Sequence, residues 1–340
     1  MDMLERLEAC PVCGASSREP LYTHLSDRIF FCAPGEWTLH RCMACRSAYL
    51  DPRPTPQSIA LAYRSYYTHA APPQTAPRSR RGRWLRALRN GYLNARFGLR
   101  LTPASSLGAR LLPLMPALSA DFDRMVRHLP LPAGVPKLLD VGCGNGAFLA
   151  LAQDSGWEAH GLEPDETSAS VARAAGFAVE HGSLTETTTA TRFEALAMSH
   201  VLEHLHDPEA ALRKAYALLK PGGLLWVATP NLYADGHDVF ARNWLHLDPP
   251  RHVVLFEADA LKELLRRIGF ECLPDPRPVR LADASYRASL AMARGDDPMR
   301  DLPELPFPLL LRRMAADLRI GWDARSAEEL VVMARKPSEA

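Results

Sequence analysis

A chain of 340 residues, 47% hydrophobic and 23% charged, is long enough to bury about three quarters of its unfolded surface, which excludes a disordered or fibrous protein. Forty Lys and Arg against thirty-nine Asp and Glu leave a net charge of +1, so any attraction to nucleic acid or anionic membrane has to be local. The N-terminus has no basic segment leading into an apolar one, and no run of eighteen apolar residues is free of charge or proline. The expectation is a cytoplasmic protein without a membrane span.

Five of the seven cysteines precede residue 46, an odd and crowded set that suits a metal site in a reducing compartment better than disulfides. Cys10-Pro-Val-Cys13 and Cys42-Met-Ala-Cys45 form two C-x-x-C knuckles separated by 28 residues. Four thiolates so arranged close a tetrahedral zinc site with no open position, a structural role. Cys32, His24 and His40 lie outside the knuckles. Residues 1–50 therefore read as a zinc-binding module that is too small for an apolar core of its own and needs a staple.

Residues 51–136 read as a proline- and arginine-rich linker with helices. From Pro72 to Ala120 there is no acidic residue, while nine arginines occur, eight of them from Arg78 to Arg100. Trp84, Leu85, Leu88, Tyr92 and Leu93 recur at helical spacing among them, describing a basic amphipathic helix. Such a helix either packs its Trp84 and Leu85 side against the rest of the protein or guides an anionic, carrier-tethered or lipid partner.

From Lys137 apolar strands alternate with helices, the pattern of a parallel sheet with crossover helices. The strands are predicted at 137–141, 159–163, 177–180, 193–198 and 224–229, with a late one at 329–335. Asp207 and Pro208 open a helix to Leu219, stopped by Pro-Gly-Gly after Lys220. Another helix runs from Asp259 to Ile268 and closes at Gly269. The third unit is then 137–340, with a helical insertion at about 283–320.

The first strand ends in Asp140-Val-Gly142-Cys143-Gly144-Asn145-Gly146, a turn that lets backbone approach a ligand at a helix N-terminus. The third glycine is misplaced for a dinucleotide fingerprint, so a pyrophosphate cradle is disfavoured. This loop, with Gly-Leu-Glu163-Pro164 after the second strand, Ser199-His200-Val-Leu-Glu203-His204 after the fourth, Leu-Lys-Pro-Gly-Gly before the fifth and Thr229-Pro230-Asn231 after it, resembles the class I S-adenosylmethionine-dependent methyltransferases. The resemblance implies an α/β fold, a Rossmann-like seven-stranded sheet with helices on both faces. It also implies S-adenosylmethionine as cofactor, held by Asp140, Gly142, Gly144 and Gly146 at the methionine end and by Glu163 at the ribose. Ser183 then faces the adenine and Ser199 lies beside the sulfonium.

A four-cysteine module ahead of such a domain resembles bacterial enzymes of sugar and natural-product pathways, among them the sugar C-methyltransferases. In those a Tyr-x-Glu-His sequence follows the fifth strand, its histidine acting as base. Here His252 matches that histidine, while Pro249 and Arg251 replace the tyrosine and glutamate. His252 is accordingly the candidate general base and His200, beside the sulfonium, the rival. Arg251 and His246 are candidate substrate contacts, Arg251 as a forked donor to a phosphate or carboxylate. His204 reads as a locally bonded helix-start residue and Glu203 as structural. The expected acceptor is a small-molecule or carrier-linked metabolite with an anionic group, of the kind of a sugar or glycan intermediate. RNA methylation is the competing enzyme reading, disfavoured by near-neutral charge and by the lack of aromatics interleaved with basic residues. A non-catalytic cofactor-binding protein is the third.

Overall fold

The computed structural model describes residues 3–63 and 79–338; Arg78 of the basic stretch lies outside them. The N-terminal segment forms β1 (Leu4–Glu5), β2 (Arg18–Leu25), β3 (Trp37–Cys42), β4 (Ala48–Leu50) and β5 (Arg53–Pro54), and the next forms α1 (Arg80–Phe97), α2 (Ser106–Leu111) and α3 (Pro116–Met125). The alternating region then runs β6 (Lys137–Val141), α4 (Ala147–Ser155), β7 (Glu158–Glu163), α5 (Glu166–Ala174), β8 (Ala178–His181) and β9 (Phe193–Ser199). It continues through α6 (Pro208–Leu218), β10 (Leu219–Pro230), α7 (Asp235–Phe240), β11 (Val254–Leu255), α8 (Ala258–Ile268) and β12 (Glu271–Cys272). The chain closes with α9 (Ala282–Arg294), α10 (Phe307–Arg319) and β13 (Glu329–Arg335).

The alternating pattern yields the expected seven-stranded sheet, in the order β12-β13-β10-β9-β6-β7-β8. β6 pairs in parallel with β7 and β9, and β10 with β9, while β13 is antiparallel to both β10 and β12. Because β13 runs backwards, its first residues lie at the same edge as the last residues of the parallel strands, where this architecture binds its ligands. Asp207 caps α6 by accepting the Ala210 N–H at 2.8 Å, and Gly269 ends α8 in the left-handed region. One expectation is corrected: Pro221-Gly222-Gly223 is not a stop outside the strand but a register slip within β10, between Leu219 and Leu224. Proline offers no ladder N–H and the glycines absorb the bulge.

The first fifty residues do not pack as a separate module. The second sheet has the order β11-β4-β3-β2, with Val254 opposite Tyr49 and Leu255 opposite Ala48. Cys10, Val12, Cys42 and Tyr49 share one apolar cluster with Met198, Leu212, Val254 and Phe256. A second cluster joins Trp37, Leu39 and Leu50 to Trp244, Leu255 and Tyr286. The physical reason is the one given for needing a staple: so short a segment cannot bury its own apolar side chains, so it borrows the core beside β11.

α1 buries Leu88, Tyr92 and Leu93, but Trp84 and Leu85 are 55% and 49% exposed. Of the two roles offered for this helix, packing through Trp84 and Leu85 is therefore overturned. The rotation of α1 is set by α2, which crosses it so closely that a Cβ on Gly108 would lie 1.8 Å from the Leu88 carbonyl oxygen. Among the described residues no helix is long and apolar enough to cross a membrane.

The Gly108 contact makes a test of this packing. Gly108→Ala should cost about 2 kcal/mol or more, the overpacking penalty at a site that cannot relax, whereas Trp84→Ala should stay within about 0.5 kcal/mol. Urea denaturation of the two variants measures both, and equal midpoints would contradict the assigned helix rotation.

Candidate active site

The glycine loop turns back onto β7. The amides of Gly142 and Cys143 donate to the Leu162 carbonyl at 2.7 and 3.3 Å. Gly142 has φ +68°, and a Cβ there would meet Val201 at 2.5 Å, so only glycine fits. Glu163 accepts the Gly144 N–H at 2.7 Å and the Asp165 N–H at 3.0 Å. Burial pushes its carboxyl above the usual carboxylate range, with those two amides opposing. Each carboxylate oxygen keeps a further lone pair for a ligand hydroxyl.

Asp140 is buried against Arg127, which also lies 3.5 Å over the Phe148 ring. Its charge is thus met from within the protein, and Asp140 braces the loop through Arg127 rather than standing free. Gly146 is the N-cap of α4. Ser183 follows β8, its hydroxyl donating to Glu186 at 2.5 Å. Ser199 is the last residue of β9.

Beyond β9 four histidines and two acids converge. His200 has its Nδ1 3.2 Å from Glu203 and its Nε2 2.9 Å from Glu329, the first residue of β13. Glu329 is also gripped by Arg124 at the end of α3, through Nε at 2.7 Å. Burial works against a charged ring, yet the two carboxylates lift His200 to about 9 and hold Glu203 and Glu329 near 2. His200 therefore carries a proton at neutral pH and has no lone pair to take another. That removes the basis for reading it as the rival base.

His252 is the opposite case. Its Nδ1–H donates to the His246 carbonyl at 2.8 Å, which fixes the tautomer and leaves the lone pair on Nε2. Burial lowers it from the ordinary histidine value, with Glu203 opposing. His204 donates from Nδ1 to the Arg251 carbonyl at 3.0 Å and lies 2.9 Å from the Tyr63 hydroxyl. One polar side-chain atom from each of Glu203, His204 and His252 lies within 4.8 Å of the others. His246 sits edge-on to Trp244 at 5.1 Å, and burial depresses it to about 3. It serves the site through its carbonyl.

Arg251 corrects the expectation of an anion-binding fork. It is completely buried. Nε donates to Asp248 at 2.9 Å, Nη1 to Asp27 at 3.1 Å and the Ala62 carbonyl at 3.0 Å, and Nη2 to Asp27 at 2.6 Å and to Asp248. All five of its N–H groups are satisfied inside the protein, leaving none for an acceptor.

A cleft of about 530 Å³ opens next to Glu329 and Asn231, walled by Tyr233, Lys262, Glu257 and Arg46 of the second cysteine knuckle. Arg46 donates to the Tyr233 hydroxyl at 3.0 Å and lies 5.3 Å over its ring. The four cysteine sulfurs converge, Cys10 to Cys45 at 3.7 Å and Cys13 to Cys42 at 3.6 Å. Ligands about 2.3 Å from a tetrahedral ion stand about 3.8 Å apart, so these thiols have the spacing of a closed four-sulfur site.

Arg127, Arg124, Glu329, Asp27 and Asp248 were not identifiable as site residues from the sequence. The one available signal was the acidic pair Glu328-Glu329 opening an otherwise apolar strand.

Residues 95–274 match the family described as methyltransferase domain, just over half of the 340 residues. The chain belongs to this family of S-adenosylmethionine-dependent methyltransferases. One relative, the ubiquinone biosynthesis O-methyltransferase of Cereibacter sphaeroides, is 33% identical over 167 residues, which cover 45% of this chain and 67% of the relative. The enzyme of that name from Ruegeria pomeroyi is 32% identical over 168 residues, with the same coverage of 45% and 67%. That from Methylobacterium nodulans is 35% identical over 122 residues, 32% of this chain and 49% of its own length. Among solved structures, an S-adenosylmethionine-dependent methyltransferase from Archaeoglobus fulgidus shares 19% identity at a TM-score of 0.43, covering 64% of this chain and 93% of that one. Another from Mesorhizobium loti shares 19% at 0.42, covering 64% and 97%.

Two measurements address the site. If Glu163 accepts the two ribose hydroxyls, as the resemblance implies, Glu163→Ala should weaken binding of S-adenosylhomocysteine, read by calorimetry, by up to about a hundredfold; unchanged affinity would contradict that expectation. Thermal denaturation against pH should show the His200 contribution in full below about 6.5 and fading as pH rises through about 9. Glu203 and Glu329 contribute in full above about 4.5 and fade as pH falls toward about 2. A His200→Asn variant whose alkaline profile matches the wild type would contradict the charged ring.

Proposed function

We propose that the protein methylates a hydroxyl oxygen of a small or carrier-linked metabolite, a sugar or glycan intermediate, with His252 as general base. The observation that carries this is the His252 ring, tied by its Nδ1–H to the His246 carbonyl at 2.8 Å, so that Nε2, 3.9 Å from the Asp248 carboxylate, keeps its lone pair. In the step, the acceptor oxygen attacks the methyl carbon as the carbon–sulfur bond breaks. The hydroxyl proton passes to His252 Nε2, giving the methyl ether and S-adenosylhomocysteine. The cleft that Glu329 lines sets carboxylates and cations around one tyrosine, chemistry suited to hydrogen-bonding a polyol. With Arg251 sealed, an anionic acceptor group has no assigned partner. Cys10, Cys13, Cys42 and Cys45 hold one structural zinc ion, for which the sulfur spacing is the support. A second reading, an aromatic hydroxyl acceptor, is favoured by the names of the relatives in quinone biosynthesis.

A transfer screen with labelled S-adenosylmethionine against nucleotide sugars, sugar lipids and a prenylated catechol separates the two readings. Methylation of the catechol alone would replace the first by the second. His252→Ala should lower turnover by about a hundred- to ten-thousandfold with cofactor affinity unchanged. Because the unprotonated ring is the active form and burial lowers its pKa, turnover should be level at neutral pH and fall only on acidification below the ordinary histidine value. Retention of more than a tenth of the wild-type rate would rule out His252 as the base. Elemental analysis should find one zinc per chain, absent from Cys42→Ser.

A further inference from the structure

We infer that Asp27 is a positioning residue for His252, acting through the buried guanidinium of Arg251. This rests on the reading of His252 as the base only for its catalytic consequence; the structural link stands by itself. Asp27 lies in the loop between β2 and β3 and organises that loop first. One carboxylate oxygen accepts the amides of Ile29 and Phe30 at 3.3 and 3.1 Å, and the other those of Cys32 and Ala33 at 3.0 and 3.1 Å. The same two oxygens receive Arg251 at 2.6 and 3.1 Å, and the Phe30 ring covers the guanidinium at 4.6 Å. The partner on the other side is Asp248, which fixes the turn that leads to His252.

Beside the ion pair of Asp248 with Arg251, hydrogen bonds of the main chain hold that turn. Asp248 accepts the main-chain amides of Arg251 and His252 on its own carbonyl at 2.9 and 3.1 Å. The carbonyl of Arg251 accepts from His204, and the next residue but one, Val253, donates to the Glu203 carbonyl at 2.9 Å while accepting from Leu50 at 3.0 Å. Arg251 is thus the point at which the N-terminal loop, the turn at Asp248 and the histidine cluster meet. Removing the charge of Asp27 leaves a buried guanidinium half met, and the turn has to move to let water reach it. His252, one residue on, then loses the fixed approach of its Nδ1–H to the His246 carbonyl.

The test reads the ring directly. In full-length protein labelled with ¹⁵N-histidine, with His252→Asn used to assign the signals, wild-type His252 should show one protonated and one unprotonated nitrogen at neutral pH, a single tautomer. In Asp27→Asn, the two nitrogens should average between tautomers. Zinc content and S-adenosylhomocysteine affinity should remain those of the wild type. An unaltered His252 spectrum in Asp27→Asn overturns the proposal. Should Asp27→Asn fail to fold, Arg251→Lys, which keeps the cation but has no fork to bridge Asp27 and Asp248, is read in the same way, and an unaltered spectrum there overturns it equally. Averaged tautomers in Asp27→Asn together with full turnover in His252→Ala would support the clamp and remove His252 as the base, so the two claims fail separately.

Discussion

A guanidinium leaves water only when its charge and all five of its N–H groups are met, and Arg251 finds that environment only where the N-terminal segment joins the loop after β10. Asp27 comes from one side, Asp248 from the other, and the Ala62 carbonyl fills the remaining donor. The shared sheet, with β11 beside β4, and the apolar cluster common to Cys10, Tyr49 and Phe256 lie around this contact. The N-terminal segment is consequently part of the wall of the site. Arg46, directly after the second cysteine knuckle, lines the cleft.

The same arrangement separates the histidines by charge. His200, between Glu203 and Glu329, is held protonated, whereas His204, His246 and His252 are held neutral by burial. Glu203, without exposure to solvent, is the shared counter-charge of the group, tolerable as an anion because rings surround it. Four residues of one type in one pocket thus divide into a fixed cation and neutral rings, and only a neutral ring can accept a proton.

What the sequence revealed and what it hid follow one rule. Features set by near neighbours were legible: the strand at 329–335, the Asp207 cap, the glycine loop and the helical insertion each depend on residues within a turn or a strand. Features set by distant partners were not. A two-residue strand such as Val254–Leu255 has no period to detect, and its partner lies roughly two hundred positions away. Arg251, read as a fork for an anion, has its anion in Asp27, 224 positions earlier. His200 and His252 look alike in sequence, and Glu329, which sets them apart, is 129 positions from His200. Even the α1 helix was seen without its rotation, because a contact with Gly108 decides which side is covered.

The pairing of β4 with β11 also sets an order of assembly. Synthesis runs from the N-terminus, so the β2-β3-β4 sheet emerges while its fourth strand is still roughly two hundred residues away. During that interval β4, whose three residues are all buried in the finished protein, presents an open apolar edge, the kind of surface that recruits stray strands. Loop closure over such a span is slow compared with local folding. The N-terminal sheet therefore gains its fourth strand only after every parallel strand of the larger sheet has been synthesised.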